Sequence, residues 1–151
     1  MTPDEKLAAL GIVLPPAPKP AGNYVPFKRV GDTIYISGRG PRSPDGKPLT
    51  GKVGRDVSAI DAYAHARLAG LGLLSVARSA AGDLAKIEVV KVLGFVNAAP
   101  DFTEHPKVIN GCSDLLVEIL GDNGRHARSA VGIGSLPHDM TVEIEAVMRI
   151  L

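Results

Sequence analysis

A chain of 151 residues, 45% hydrophobic and 22% charged, has the size and composition of one globular domain with a real core, which excludes a disordered or fibrous class. A formal net charge of +1, 4% aromatic content and no Trp argue against a general nucleic-acid or anionic-membrane surface. The lone cysteine, Cys112, excludes an intrachain disulfide. With no apolar run near membrane-span length and no signal-peptide pattern, the expectation is a cytoplasmic protein.

Residues 3–10 are expected to form a short amphipathic turn or helix, with Pro3, Asp4 and Glu5 suited to a helix start. The proline-rich stretch 14–20 cannot hold a helix and should run extended over the surface; a partner motif is the rarer use of such a segment. Two β-rich runs then flank Gly31-Asp32, a hairpin signal. The second ends in the loop Arg39-Gly40-Pro41-Arg42-Ser43-Pro44-Asp45-Gly46.

A short strand near residues 51–54 precedes a long helix. Ser58 with Asp61 three residues later gives a capping-box-like start, and Gly82-Asp83 gives the end. Ala62, Ala66, Ala69, Leu73 and Val76 recur at helical spacing and mark its buried face. Residues 87–97 read as a central strand dense in β-branched side chains. A second helix is expected from about Pro106 to Leu120, with Val108, Cys112, Leu115, Leu116, Ile119 and Leu120 as its core stripe.

The last quarter reads as two strands around the turn Ser135–Asp139. In the final strand Val142, Ile144, Ala146, Met148 and Ile150 point one way and Thr141, Glu143 and Glu145 the other. Arg128 and two glutamates thus stand among apolar strand residues. Such charges form either an ordinary salt bridge on a solvated face or a functional set. The order β-β-α-β-α-β-β predicts an α+β fold in one domain, residues 1–151, with an N-terminal extension over about 1–21. A single mixed sheet is covered on one face by two helices, and a symmetric oligomer would cover its other face.

Three pieces of sequence carry a family likeness: Arg128-Ser129-x-Val131, then Leu136-Pro137, then Val142-Glu143-Ile144-Glu145-Ala146. With Gly22-x-Tyr24 and Ser37-Gly38-Arg39-Gly40-Pro41, they resemble the signature of the RidA/YjgF family, over about residues 22–148. That family comprises reactive-intermediate deaminases, long known as L-PSP endoribonucleases, with a chorismate-mutase-like fold. The resemblance implies a homotrimer with pockets between subunits and hydrolysis of 2-imino or 2-enamino acids to 2-oxo acids and ammonia without a cofactor or metal. It implies that Arg128 binds the substrate carboxylate, that Glu143 positions water, and that Tyr24, Gly38, Arg39, Asn110 and Ala130 line the pocket. The sequence departs from the family pattern at Ala130, where a Cys is usual, at Arg39, where Gln is frequent, and in a longer loop before Asn110.

Other chemistries read more weakly. Gly132-x-Gly134 lacks the rest of a dinucleotide fingerprint. His65, His105, His126 and His138 have no metal-ligand spacing, and Cys112 lies on a core stripe that would raise its pKa. Tyr63 and His65 read as surface or boundary residues of the first long helix. Two alternatives to the deaminase stay open: a trimeric protein that binds a small carboxylate without turnover, and a ribonuclease using Arg125, His126 and Arg128 with Lys28 and Arg29.

Overall fold

The computed structural model describes residues 1–151. Five strands form one mixed sheet: β1 (Phe27–Val30), β2 (Thr33–Arg39), β3 (Ile87–Asn97), β4 (Ala127–Ile133) and β5 (Val142–Ile150), in the spatial order β1-β2-β5-β3-β4. Three helices complete the fold: α1 (Pro3–Ala9), α2 (Ala59–Ala81) and α3 (His105–Leu120). The hairpin expected at Gly31-Asp32 forms, pairing Val30 with Thr33, and Gly31 takes the positive φ of 62° that the turn needs. The stretch 51–54 makes only isolated bridges, Val53 to Val57 and to Ala98.

Helix α2 has the predicted ends. The Ser58 side chain accepts from the Asp61 N–H, and Gly82 closes the helix in the left-handed region at φ 78°. Its expected face of Ala62, Ala66, Ala69, Leu73 and Val76 is fully buried, as is the α3 stripe from Val108 to Ile119. The small residues let the two helices approach closely. A Cβ on Gly111 of α3 would overlap the Tyr63 carbonyl oxygen of α2, so that site admits only glycine at this spacing. Both helices cover one face of the sheet, burying Val92, Val96, Val142, Ile144 and Met148. No helix is long and apolar enough to cross a membrane.

The last two strands depart from the expected hairpin. β4 and β5 do not pair; β3 lies between them, parallel to β4 and antiparallel to β5. The physical reason lies at the end of β3. The loop after β4 passes over that end, where buried Asn97 donates from Nδ2 to Asp139 Oδ1 at 3.0 Å and to the Gly51 carbonyl at 3.1 Å. His138 and Asp139 both hold φ near 57°, which turns the chain sharply enough to start β5 on the far side. An eleven-residue apolar strand thereby gains a partner on each edge, and the more exposed β4 takes the sheet's rim.

The face of the sheet away from the helices is open. Tyr35, 50% exposed, and Val131, 41% exposed, share it with the half-buried Leu93, Phe95 and Val147. Glu143 and Glu145 stand on this same face by strand alternation.

Candidate functional site

Arg128 pairs in register with Val92, so its side chain leaves the helix-covered side of the sheet at the β4 rim. There α3 meets it. Arg128 Nη1 donates to Asn110 Oδ1 at 2.8 Å and to Ser113 Oγ at 3.2 Å. Ser113 is three residues beyond Asn110, hence on the same helix face. Its Oγ also lies 2.9 Å from His126 Nε2, while His126 Nδ1 lies 2.6 Å from the Gly124 carbonyl. A carbonyl only accepts, so Nδ1 carries the proton. Neutral His126 therefore accepts at Nε2 from the Ser113 hydroxyl, whose oxygen keeps a lone pair for Arg128. Burial first and the Arg128 charge last hold the His126 pKa below its usual value, consistent with that tautomer.

All the acceptors around Arg128 are neutral. None of the seven ion pairs of the chain includes Arg128, and none includes Glu143. The ordinary salt bridge that the sequence left open is therefore absent. The half-buried guanidinium thus has one nitrogen fixed by neutral acceptors, no ion-pair partner, and donors left over in the planar geometry that matches a carboxylate.

Glu143 occupies the other side of the sheet. Its side chain lies over Gly38, where β2 slips register against β5 between Ile36 and Arg39. Burial, and then the Glu145 charge, raise its carboxyl pKa. Tyr24, 64% exposed, lines a neighbouring cleft with Ser37, Lys28, Tyr35 and Glu145. Ser37 ties that edge down by donating to the Val25 carbonyl at 2.7 Å. Gly38 with Glu143, and Tyr24 with Glu145 in the adjoining cleft, thus stand on one side, and Arg128 with Asn110 forms another group.

Within one chain the two groups do not meet. Glu143 pairs with Phe95, which pairs with Val131, three residues along from Arg128. The two Cα atoms are therefore about 10 Å apart across the strands and about 10 Å apart along them, on opposite faces. Ala130 shares the Arg128 face, two residues on, packed against the core. Arg39 also faces the helices, in register with Ile144 and against Gly72 of α2, away from Glu143. Sequence reading gives Ser113 no role and names His126 only in the basic set of the ribonuclease alternative; the signals that carry them here are the i, i+3 pair Asn110/Ser113 and the i, i+2 pair His126/Arg128.

The remaining candidates separate cleanly. Cys112 is buried in the core and its thiol is pushed up to about 12 by desolvation. Tyr63 donates to Asp114 at 2.6 Å and His65 lies 2.9 Å from Thr141 Oγ1. Lys28 and Arg29 sit on β1 and Arg128 on β4, the two opposite edges of the sheet, so the basic patch considered for RNA does not form within one chain. No group of three or more His, Cys, Asp or Glu is placed to hold a metal ion.

Comparison with known proteins places this geometry among relatives. Residues 4–143 match the family described as "YjgF/chorismate mutase-like, putative endoribonuclease". The chain is 40% identical to Protein TCP17 of Trypanosoma cruzi, over 95% of this chain and 91% of that protein. It is 30% identical to a 2-iminobutanoate/2-iminopropanoate deaminase of Dermatophagoides farinae, over 92% of this chain and 94% of the relative. Among solved structures, Atu1372 of Agrobacterium tumefaciens, of unknown function, is similar with a TM-score of 0.91 at 42% identity, covering 99% of this chain and 94% of that one.

Proposed function

This chain belongs to the YjgF/chorismate mutase-like family, and we propose that it hydrolyses 2-imino acids to 2-oxo acids and ammonia at a site completed between copies of itself. The observation that carries the proposal is Arg128: a half-buried guanidinium held by Asn110 and Ser113 and neutralised by nothing in its own chain. The named activity of the mite relative supports the same reaction class.

In this reading Arg128 takes the substrate carboxylate through two parallel hydrogen bonds and fixes the imine carbon next to it. Glu143 comes from a neighbouring copy, because the sheet separates it from Arg128 of its own chain. Its carboxylate removes a proton from water as the water oxygen bonds to the iminium carbon. The resulting carbinolamine receives that proton on nitrogen. The C–N bond then breaks and ammonia leaves while the hydroxyl gives its proton to the Glu143 carboxylate and its oxygen becomes the carbonyl of the 2-oxo acid; passing that proton to ammonia releases ammonium and restores the carboxylate. Burial and the Glu145 charge raise the carboxyl pKa, which makes the Glu143 carboxylate a stronger base toward water than an ordinary one. Tyr24 supplies a wall beside Glu145.

The open face gives the copies a reason to associate. Tyr35, Leu93, Phe95, Val131 and Val147 form an apolar surface that a symmetric assembly of three chains would bury. The test is release of ammonia and 2-oxo acid from freshly generated 2-imino acids, with wild type beside Arg128→Ala. Acceleration by wild type alone supports the reading. Thermal stabilisation by 2-oxo acids without any turnover would replace it with a carboxylate-binding protein.

A further inference from the structure

A second cationic cavity lies on the helix-covered side of the sheet, the opposite face from Glu143. It measures about 660 Å³, within the range of small-molecule sites. Arg39 and Arg42 line it together. Arg39 enters because the Ser37-Gly38 irregularity in β2 turns it toward α2, where Gly72 leaves room for its guanidinium. Its Nε is buried and has no hydrogen-bond partner. Burial first, and then the charge of Arg42, lower its pKa, so the two cations raise each other's cost in the cavity they share.

No carboxylate of the chain pairs with them. None of the seven ion pairs includes Arg39 or Arg42. Asp45 is the one acidic residue in the lining, and it is turned into its own loop, accepting from the Ser43 hydroxyl and from the Lys47 N–H. Arg42 spends one nitrogen on the Gly46 carbonyl at 2.9 Å and keeps its other donors. The opposite wall is apolar: Val13, Pro15 and Pro16 from the extended N-terminal segment, and Leu68 and Leu71 from α2. That segment is fixed over the cavity, since Ser75 of α2 donates to the Pro15 carbonyl at 2.5 Å.

We propose that this cavity binds a small organic carboxylate with an apolar body, its anionic end on Arg39 and Arg42 and its body against the Pro15–Pro16 segment and α2. The pairing of two unneutralised guanidinium groups with a hydrocarbon wall selects that class over inorganic anions, which leave the wall unfilled, and over neutral apolar molecules, which leave the cations unpaired. The site is distinct from the proposed catalytic one: Arg39 is on β2, Arg128 on β4, with β5 and β3 between them.

The experiment is a two-dimensional amide NMR titration of the full chain with hexanoate, using hexanamide as the neutral control. Hexanoate is expected to give saturable shifts in the amides of Val13 and Leu14, of the non-proline residues of 39–46 and of residues 68–72, in wild type and equally in Arg128→Ala. Arg39→Gln should weaken that binding by about tenfold or more, the loss expected for one charge-assisted contact. Gly72→Ala should weaken it too. Its new Cβ would stand 3.1 Å from Arg39 Nε and crowd the guanidinium out of its present position, while alanine favours the helix and keeps the protein folded. Equal binding of hexanamide, shifts confined to the surroundings of Arg128 and Glu143, or no saturable shift would each overturn the proposal.

Discussion

A Cβ built on Gly38 falls 2.9 Å from both Cγ and Cδ of Glu143, so the glycine is the surface on which this carboxylate rests. The blocking atoms belong to a flexible side chain rather than to backbone. Gly38→Ala should therefore be cheap for folding and costly for the carboxylate's position. We expect a melting temperature within about 3 °C of wild type and a fall in kcat of about tenfold or more. Turnover kinetics beside a thermal melt check this, and unchanged kcat would dissociate Glu143 from the chemistry.

The separation of Arg128 from Glu143 by β3 makes a sharper prediction. Arg128→Ala and Glu143→Gln should each be inactive alone and should recover activity when unfolded and refolded together. In a cyclic assembly with random mixing, an intact site needs one copy of each kind in the right order, which gives about a quarter of wild-type sites. No recovery in verified mixed oligomers would mean that both residues act from one chain or that one of them is not required.

Glu143 should be a destabilising residue at neutral pH. Its folded pKa is raised, so the folded state holds the proton more tightly than the unfolded state does. Its contribution is fully present below the ordinary carboxylate range and is lost as pH rises through the raised folded value. Glu143→Gln is expected to melt roughly 1–3 °C above wild type at pH 7 and to match it near pH 4. Differential scanning calorimetry at the two pH values decides the matter.

The His126–Ser113–Arg128 chain predicts a binding defect. Ser113→Ala removes an acceptor from Arg128 and leaves His126 Nε2 without its donor. We expect KM for the imino acid to rise by about tenfold with kcat less affected, since the guanidinium is misplaced while Glu143 is untouched. His126 titrates in the opposite sense to Glu143. With its folded pKa lowered, the unfolded state takes up the proton first, so stability is lost as pH falls below about 6.5. His126→Gln should reduce that loss; His65, lowered by burial as well, accounts for the part that remains.

Gly111 tests the helix pair. Alanine there would overlap the Tyr63 carbonyl and force α2 and α3 apart, which is backbone against backbone with no rotamer to relieve it. A loss of about 2–3 kcal/mol, or roughly 5–10 °C in melting temperature, is expected. A melt within 2 °C of wild type would show that the helices have slack.

Much of this protein is written locally. The Ser58 cap, the Gly82 stop, the alanine face of α2 and the Val108–Ile119 stripe of α3 all follow from 3.6-residue periodicity and cap chemistry, which act within a few residues. The alternation of β5 and the turn at Gly31-Asp32 are equally local. The family likeness at Arg128-Ser129 and Val142–Ala146 was legible for the same reason, being linear motifs. What sequence order could not decide was which strand lies beside which. Arg128 and Glu143 are fifteen positions apart and sit on strands joined by a short loop, which suggests neighbours; the Asn97–Asp139 contact and two left-handed residues carry the chain over β3 instead. One irregularity at Ser37-Gly38 likewise sends Arg39 to the opposite face from the glutamate it was grouped with. Strand pairing and side-chain facing depend on contacts between distant residues, where a shift of a single residue exchanges one face for the other, and only the folded chain fixes them.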